Sequence, residues 1–312
     1  MKRILLYLFT LLIIVFILDR ISYWMFNKFI FEKTFSGESR GGVNYLLEKN
    51  TRNDFYIFGN SRSLHHIDPT LLKDFHQGNG FNAGISGLGG LIYTDLLLDL
   101  ILQHNQKPKS ILIQLDPVNF RYNDVKTQLN AMSLFFDKSN RIKSYQEQYD
   151  LGDKLFSNFK LTRINNKFIN VLYNYLKPDT HNLTGFIPLQ GSMDTTLPQD
   201  NSTKDKSGPI QEAKIRAIKN ISKVCLNQNI NLYIVLEPSY HNVLNDSLSH
   251  SFFMKLMAEL PNIKWIDFSD RQTIPSLEPA KYWKDRSHLN AKGAEIFSKT
   301  LNEALKKFNA NP

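Results

Sequence analysis

Beyond a polar stretch at residues 36–42, short apolar runs alternate with longer segments in which apolar positions recur every three to four residues. The short runs, at 55–58, 80–83, 110–115, 231–236 and 263–268, read as strands. The longer ones, at 69–75, 88–104, 211–228, 247–259 and 291–308, read as helices. Strands that alternate with helices pair side by side through crossovers, so the expected fold class is α/β, with a five-stranded parallel sheet covered on both faces.

One connection is far longer than a crossover requires: residues 116–229 separate the third strand from the fourth. Within it, 135–176 looks helical and aromatic-rich, whereas 181–209 is polar, with Gly, Pro, Asp, Ser and Thr. Two readings stand for this insertion. It binds or covers a site, or it is a helical cap followed by a disordered surface loop.

At the start of the chain, residues 4–18 (ILLYLFTLLIIVFIL) are uncharged and follow Lys2-Arg3, the layout of a signal sequence or signal anchor. The run is short for a span of roughly 20 residues. A second apolar stretch at 21–26 follows Asp19-Arg20, a pair expected at the membrane interface with Arg20 snorkelling. No small-x-small cleavage pattern follows, which favours an uncleaved anchor over a cleaved signal peptide. Positive residues ahead of the span keep the N-terminus in the cytoplasm. The expectation is a single-pass protein of the bacterial cytoplasmic membrane with its main domain periplasmic or extracellular. In domain terms, 1–33 is the anchor and juxtamembrane segment, and 34–312 is one α/β domain with an insertion at about 120–209.

Composition narrows the partners. Of 312 residues, 42% are apolar and 21% charged, ordinary for a globular chain, which excludes wholesale disorder and coiled-coil rods. The net charge of +9 falls partly on the first 33 residues, and what remains is a mild bias. No basic run interleaved with aromatics is present, so no nucleic-acid partner is expected. Cys225 lies in a helical pattern and reads as a small buried residue.

The chemistry-bearing residues lie at strand ends. The first strand runs into Gly59-Asn60-Ser61-Arg62-Ser63, which puts a serine where open parallel sheets bind their ligands. A serine needs a base to take its proton and donors for the oxyanion it creates. The base is sought in Asp285-Arg286-Ser287-His288-Leu289-Asn290, ahead of the last helix. There Asp285 reaches back to one imidazole nitrogen of His288 and leaves the other to face Ser61. Taken alone, the same segment also reads as a helix start, with Asn290 as N-cap.

These blocks carry a resemblance. Gly59-Asn60-Ser61, then 82–87 (NAGISG), then Asp285-x-x-His288-Leu289-Asn290 stand in the order found in the SGNH (GDSL-like) hydrolase superfamily, and the chain resembles its membrane-anchored bacterial branches. The resemblance covers residues 54–90, 109–120 and 230–305. It implies a flavodoxin-like three-layer α/β/α fold. It also implies that Ser61 is the nucleophile, with its backbone N–H in the oxyanion hole beside that of Gly87, and that Asp285 and His288 are acid and base. Two departures matter. Asn60 replaces the usual Asp, a position that shapes the turn. The usual Gly-x-Asn-Asp block is absent after the third strand, which ends Leu115-Asp116-Pro117-Val118-Asn119. Asn119, one residue out of register, is the nearest candidate for the side-chain oxyanion donor. Loss of such a donor costs about 3 kcal/mol, which suits a slow enzyme or a substitute donor.

Other polar residues receive lesser roles. Arg62 either holds an anionic group of the substrate or supports the turn through an ion pair. Glu237, Tyr240 and His241 follow the fourth strand on the same sheet edge as Ser61 and are candidate substrate contacts. His65-His66 reads as solvent-exposed or substrate-facing rather than zinc-binding. No metal-ligand spacing or dinucleotide fingerprint is found, so neither metal nor cofactor is expected. The leading expectation is a membrane-anchored extracytoplasmic serine esterase or O-acyltransferase acting on acylated cell-surface polysaccharide. The alternative is a catalytically weak or inactive binding subunit of a polysaccharide-modification system, working with other envelope proteins. A lipid-directed esterase, a third option, predicts an exposed apolar patch near Leu134, Phe135 and Phe136.

Overall fold

Five parallel strands, β1 (Phe55–Phe58), β2 (Gly80–Asn82), β3 (Ser110–Gln114), β4 (Asn231–Leu236) and β5 (Ile263–Asp267), form one sheet in the order β2-β1-β3-β4-β5. Each lies within a residue of the run that predicted it. The register pairs Ile57 with both Asn82 and Leu112, and Ile113 with Ile234. All of β1 and β3 is buried, which is why these strands read as continuous apolar runs rather than alternating ones. The chain leaves β1 to one side for β2 and then crosses to the other side for β3. This reversal opens a crevice at the carboxyl ends of β1 and β3.

The computed structural model describes residues 2–36, 42–48, 53–73, 75, 78–87, 90–104, 106–149, 158–164, 167–178, 184–195, 208–240 and 247–310. The chain divides into two compact units, residues 1–49 with 129–180, and residues 50–128 with 181–312.

The sheet belongs to the second unit. On one face Phe55, Ile57, Leu112, Tyr233 and Val235 form a core with Trp283, Leu289, Phe297, Leu301 and Leu305. The last three recur every four residues, the stripe that an amphipathic helix must bury. The helices of the unit are α3 (Ser61–His66), α4 (Leu91–Gln103), α8 (Glu212–Asn227), α9 (Ser247–Ala258) and α10 (Ala291–Ala310). Cys225 is fully buried in α8, and burial pushes its thiol up to about 12. The helix expected at 69–75 is a short 3-10 turn at Pro69–Leu71, because the chain turns helical earlier, at Ser61 itself. Asn60 drives that early start by accepting the Arg62 amide at 2.8 Å, as an N-cap does.

The first unit is helical. It contains α1 (Lys2–Phe29), α2 (Gly42–Glu48), α6 (Asn140–Tyr149) and α7 (Phe168–Leu176), with 3-10 turns at Phe31–Lys33, Ser133–Lys138 and Lys160–Ile164. α5 (Val125–Ala131) contains the boundary between the units. The continuous helical reading of 135–176 is thus replaced by short pieces. α1 is long and apolar enough to span a membrane. Asp19, expected at a membrane interface, is buried within the helical unit, and its carboxylate accepts the amides of Lys160 and Leu161 at 2.8 and 2.9 Å. Those two donors open a 3-10 turn and lack partners within it, which explains an acid in an otherwise apolar helix. Leu134 and Phe135 are buried, Phe135 against the ring of Phe31, so the apolar patch expected there is not formed.

Candidate active site

Ser61 stands where β1 ends, behind a turn only glycine can make. Gly59 has φ +148°, and a Cβ on it would lie 2.7 Å from the Cβ of Ser63 and 2.9 Å from that of Gln114. Asn60 then fixes the turn three ways. Its amide donates to Gln114 Oε1 at 3.3 Å, its Nδ2 donates to Asp116 Oδ2 at 3.3 Å, and its Oδ1 caps α3. The N–H of Ser61, in the first turn of α3, has no acceptor among the described residues.

The second half of the site is a loop closed by an antiparallel bridge between Trp283 and Leu289. Both are fully buried, and the Trp283 indole donates to the Leu277 carbonyl at 2.7 Å. Within the loop, Asp285 Oδ1 accepts the amides of Ser287 and His288, each at 2.8 Å, so its carboxylate shapes the turn that carries the imidazole. Asn290 accepts the Gly293 amide at 3.1 Å at the start of α10. The N-cap reading of this segment therefore holds, and it leaves Asp285 and His288 free to face the sheet edge as a pair.

The two halves meet. Ser61 Oγ lies 2.8 Å from His288 Nε2, and His288 Nδ1 lies 2.9 and 3.0 Å from the two carboxylate oxygens of Asp285. An ionised carboxylate only accepts, so Nδ1 carries the proton and Nε2 is left to accept from Ser61. Partial burial raises the Asp285 carboxyl. The hydrogen bond and charge of His288, with the Ser287 and His288 amides, outweigh it and hold Asp285 well below the usual carboxylate range. It therefore stays ionised at neutral pH.

Gly87 sits in a turn with φ +67° and open space where a Cβ would be. Its loop is held to the nucleophile turn by the Ile85 amide on the Gly59 carbonyl at 3.2 Å, and by Ser86 Oγ at 3.3 Å from His65 Nε2. The Gly87 N–H has no acceptor among the described residues. The hydrogen bonds described for Asn119 are made by its backbone. It lies in the 3-10 turn Pro117–Arg121, where its amide bonds the Asp116 carbonyl and its own carbonyl accepts from Lys214. At the end of β3 the chain presents Asp116, an acceptor, in place of a side-chain donor.

Arg62 and Glu237 lie beneath the site and not in it. Both are 3% exposed. The guanidinium pairs with Asp116, donates to the Pro238 carbonyl, and has Nε 3.8 Å from Glu237 Oε2. Of the two roles read for Arg62, support of the turn is the one the geometry provides. Burial pushes the Glu237 carboxyl up to about 8, Arg62 pulling down and Asp116 adding to the rise. His66 is fully buried, and burial first, then the Arg62 charge, holds it well below its ordinary value. As a neutral ring its Nδ1–H donates to Glu237 at 2.7 Å while Nε2 accepts the Leu289 amide at 2.9 Å. His66 thus ties the helix of Ser61 to the loop of His288.

Neither His65 nor His66 is solvent-exposed, which removes the first of the two roles read for them. Their burial was not legible because a six-residue helix has no periodicity to reveal its buried face. Tyr240 is half-buried, with its ring 5.7 Å from that of Trp283 and its amide on the Arg286 carbonyl at 2.8 Å, so it braces the loop of the base. His241 falls outside the described residues.

Sequence reasoning missed a strap, residues 184–195. It pairs with the end of β2 through the Asn82 amide on Thr184 O at 2.8 Å, and with α3 through the Ile187 amide on Leu64 O at 3.1 Å. The Ile187 carbonyl accepts His65 Nδ1–H at 2.7 Å. Further along, the Ala291 amide bonds Leu189 O, Asn290 Nδ2 bonds Gly191 O, and the Met193 amide bonds Trp283 O, at 2.7 to 2.8 Å. The strap touches both halves of the site. The signal was Gly185 and Gly191, both with positive φ, in what reads as an ordinary polar loop.

Among the described residues no group of three or more His, Cys, Asp or Glu side chains has the arrangement to hold a metal ion. No protein-family model matches the chain, and a search of curated proteins likewise finds no match.

Proposed function

We propose that the chain is a membrane-anchored, extracytoplasmic serine esterase or O-acyltransferase of SGNH type, acting on acylated cell-surface polysaccharide through an acyl-Ser61 intermediate. The observation that carries this reading is the hydrogen-bonded line Ser61–His288–Asp285 at the carboxyl ends of the sheet. The strand order, the buried faces of the sheet and the resemblance of the three sequence blocks support a three-layer SGNH-like domain. The apolar α1 behind Lys2-Arg3 supports an anchor with the rest of the chain outside the cytoplasm.

In this reading Ser61 Oγ attacks the ester carbonyl carbon as its proton passes to His288 Nε2. Asp285 stabilises the imidazolium. The oxyanion takes the N–H groups of Ser61 and Gly87. Collapse expels the alcohol, which leaves with the proton from His288. Water or a sugar hydroxyl, deprotonated by His288, then attacks acyl-Ser61 and releases the acid or the new ester.

One observation favours a second reading, a non-catalytic envelope subunit. The end of β3 holds Asp116, engaged with Arg62 and Asn60, and supplies no side-chain donor to the oxyanion. The test is release of acetate from para-nitrophenyl acetate and from O-acetylated polysaccharide by wild type and Ser61→Ala, with and without sugar acceptor. Activity that vanishes in Ser61→Ala is expected. Equal rates in the two proteins contradict the enzyme, and a cellular role that survives Ser61→Ala supports the subunit.

A further inference from the structure

The helical unit exposes apolar surface on more than its N-terminal helix. In α7, Ile169 is 78% exposed and Leu176 66%, and Phe168, Tyr173 and Tyr175 are exposed with them. Positions 169, 173 and 176 fall on one side of the helix. Only Val171 of α7 is buried. In the sheet unit, by contrast, the exposed large apolar side chains are scattered, at Ile210, Leu226, Leu248 and Met254.

The position of α7 along α1 indicates what covers this surface. The all-round exposed stretch of α1 ends at Leu18, because Asp19, Tyr23 and Phe26 turn inward. Residues 4–18 rise about 22 Å, short of a hydrocarbon core of about 30 Å. A bilayer that begins at the Lys2-Arg3 end therefore extends past the level where the rest of the unit packs on the helix. At that level Phe16 meets Phe159 with centroids 6.2 Å apart, and Phe26 meets Phe168 of α7 at 5.6 Å. The outer face of α1 stays apolar there, through Ile21, Trp24, Met25 and Phe29. The Lys160 and Leu161 amides, which open a 3-10 turn and have no partner within it, are satisfied by Asp19 and leave no bare donor toward lipid. Lys33 and Lys177 lie over the rings of Phe29 and Tyr173, the aromatic and basic pairing of a headgroup zone.

Resting on the reading of α1 as a membrane span, we infer that α7 lies in the outer bilayer interface and that phospholipid covers Ile169, Tyr173 and Leu176. The helical unit is then a seat in the membrane surface, held at two places, which restricts its tilt as a single span alone does not. The test uses full-length protein in anionic phospholipid vesicles, labelled with an environment-sensitive fluorophore at Ile169→Cys, Leu176→Cys or Leu8→Cys. Cys225 is buried and does not compete for label. Lipids carry a spin-label quencher near the glycerol backbone or near the acyl-chain end. Loss of emission at 169 and 176 with the shallow quencher, and at 8 with the deep one, is expected. Quenching at 8 but not at 169 and 176, a deeper signal at 169 and 176 than the interface permits, or cross-linking of Ile169→Cys between two copies overturns the inference while sparing the anchor. No quenching at 8 overturns the anchor itself.

Discussion

Arg62→Met perturbs the ion network on which the nucleophile turn rests. The substitution keeps an unbranched apolar stem but leaves Asp116, whose side chain is 6% exposed, without its cation. Removing one partner of a buried pair costs about 3–5 kcal/mol, and the orphaned Pro238 carbonyl adds about 1 kcal/mol. Asp116 keeps two donors, Asn60 Nδ2 at 3.3 Å and Gln114 Nε2 at 3.0 Å, which hold the total near the lower end, about 4 kcal/mol. The double variant Arg62→Met/Asp116→Asn removes both charges and keeps an acceptor for those donors. Its cost is expected at about 1–2 kcal/mol. Asp116→Asn therefore stabilises the Arg62→Met background and destabilises wild type, a sign reversal that a cycle of the four proteins detects. Urea titration of detergent-solubilised protein, read by the emission of buried Trp283, supplies the free energies provided that the slope is unchanged. An Arg62→Met protein within about 1 kcal/mol of wild type, or a double variant less stable than the single, would refute the argument that the guanidinium compensates a buried carboxylate.

Glu237→Gln is expected to change how stability varies with pH. The folded-state carboxyl at about 8 retains its proton where the unfolded chain has lost it, so between about pH 4.5 and 8 this group makes stability fall as pH rises, by at most about 1.4 kcal/mol per unit. His66, held low, acts oppositely below its ordinary value of 6.5 and gains stability as pH rises. Glu237→Gln should thus be more stable than wild type at pH 8, with the gap closing toward pH 5, in thermal melts across that range; a gap independent of pH contradicts the raised carboxyl. Two glycines with positive φ should respond differently. Gly185→Ala drives a Cβ to 1.9 Å from the Asn82 carbonyl oxygen and should free the strap, seen as faster proteolysis within 184–195. Gly87→Ala meets nothing within 4 Å and should cost only the conformational term of about 1–2 kcal/mol, leaving the strap resistant; equal proteolysis of the two variants counts against the strap's docking at Asn82.

The sheet was legible because parallel strands buried on both faces leave unbroken apolar runs, and 55–58, 111–113 and 232–236 are such runs. Ser61, His288 and Asp285 were legible because each lies next to a strand or helix boundary that local chemistry marks: Gly59 and Asn60 before the first, Asn290 after the other two. Of what supports them, only the ion-pair role of Arg62 was read, without its partners. Arg62 and His66 share one short helix, Asp116 and Glu237 come from two other segments, and a buried ion network has no local pattern. The strap was hidden because its hydrogen bonds run through backbone groups that any sequence supplies, with only Gly185 and Gly191 demanding their residue type. The partners of Asp19 were hidden because the amides that reach it lie 141 and 142 residues away and leave no local pattern.

The central claim is that His288 activates Ser61. Full-length protein and its Ser61→Ala, His288→Ala and Asp285→Asn variants are treated with a fluorophosphonate probe, and the labelled peptide is identified by mass spectrometry. Rapid phosphonylation of Ser61 in wild type is expected, with none in Ser61→Ala and a rate reduced about a thousandfold or more in the other two. Failure to label folded wild-type protein, or labelling that persists at an unchanged rate in His288→Ala, would contradict the account.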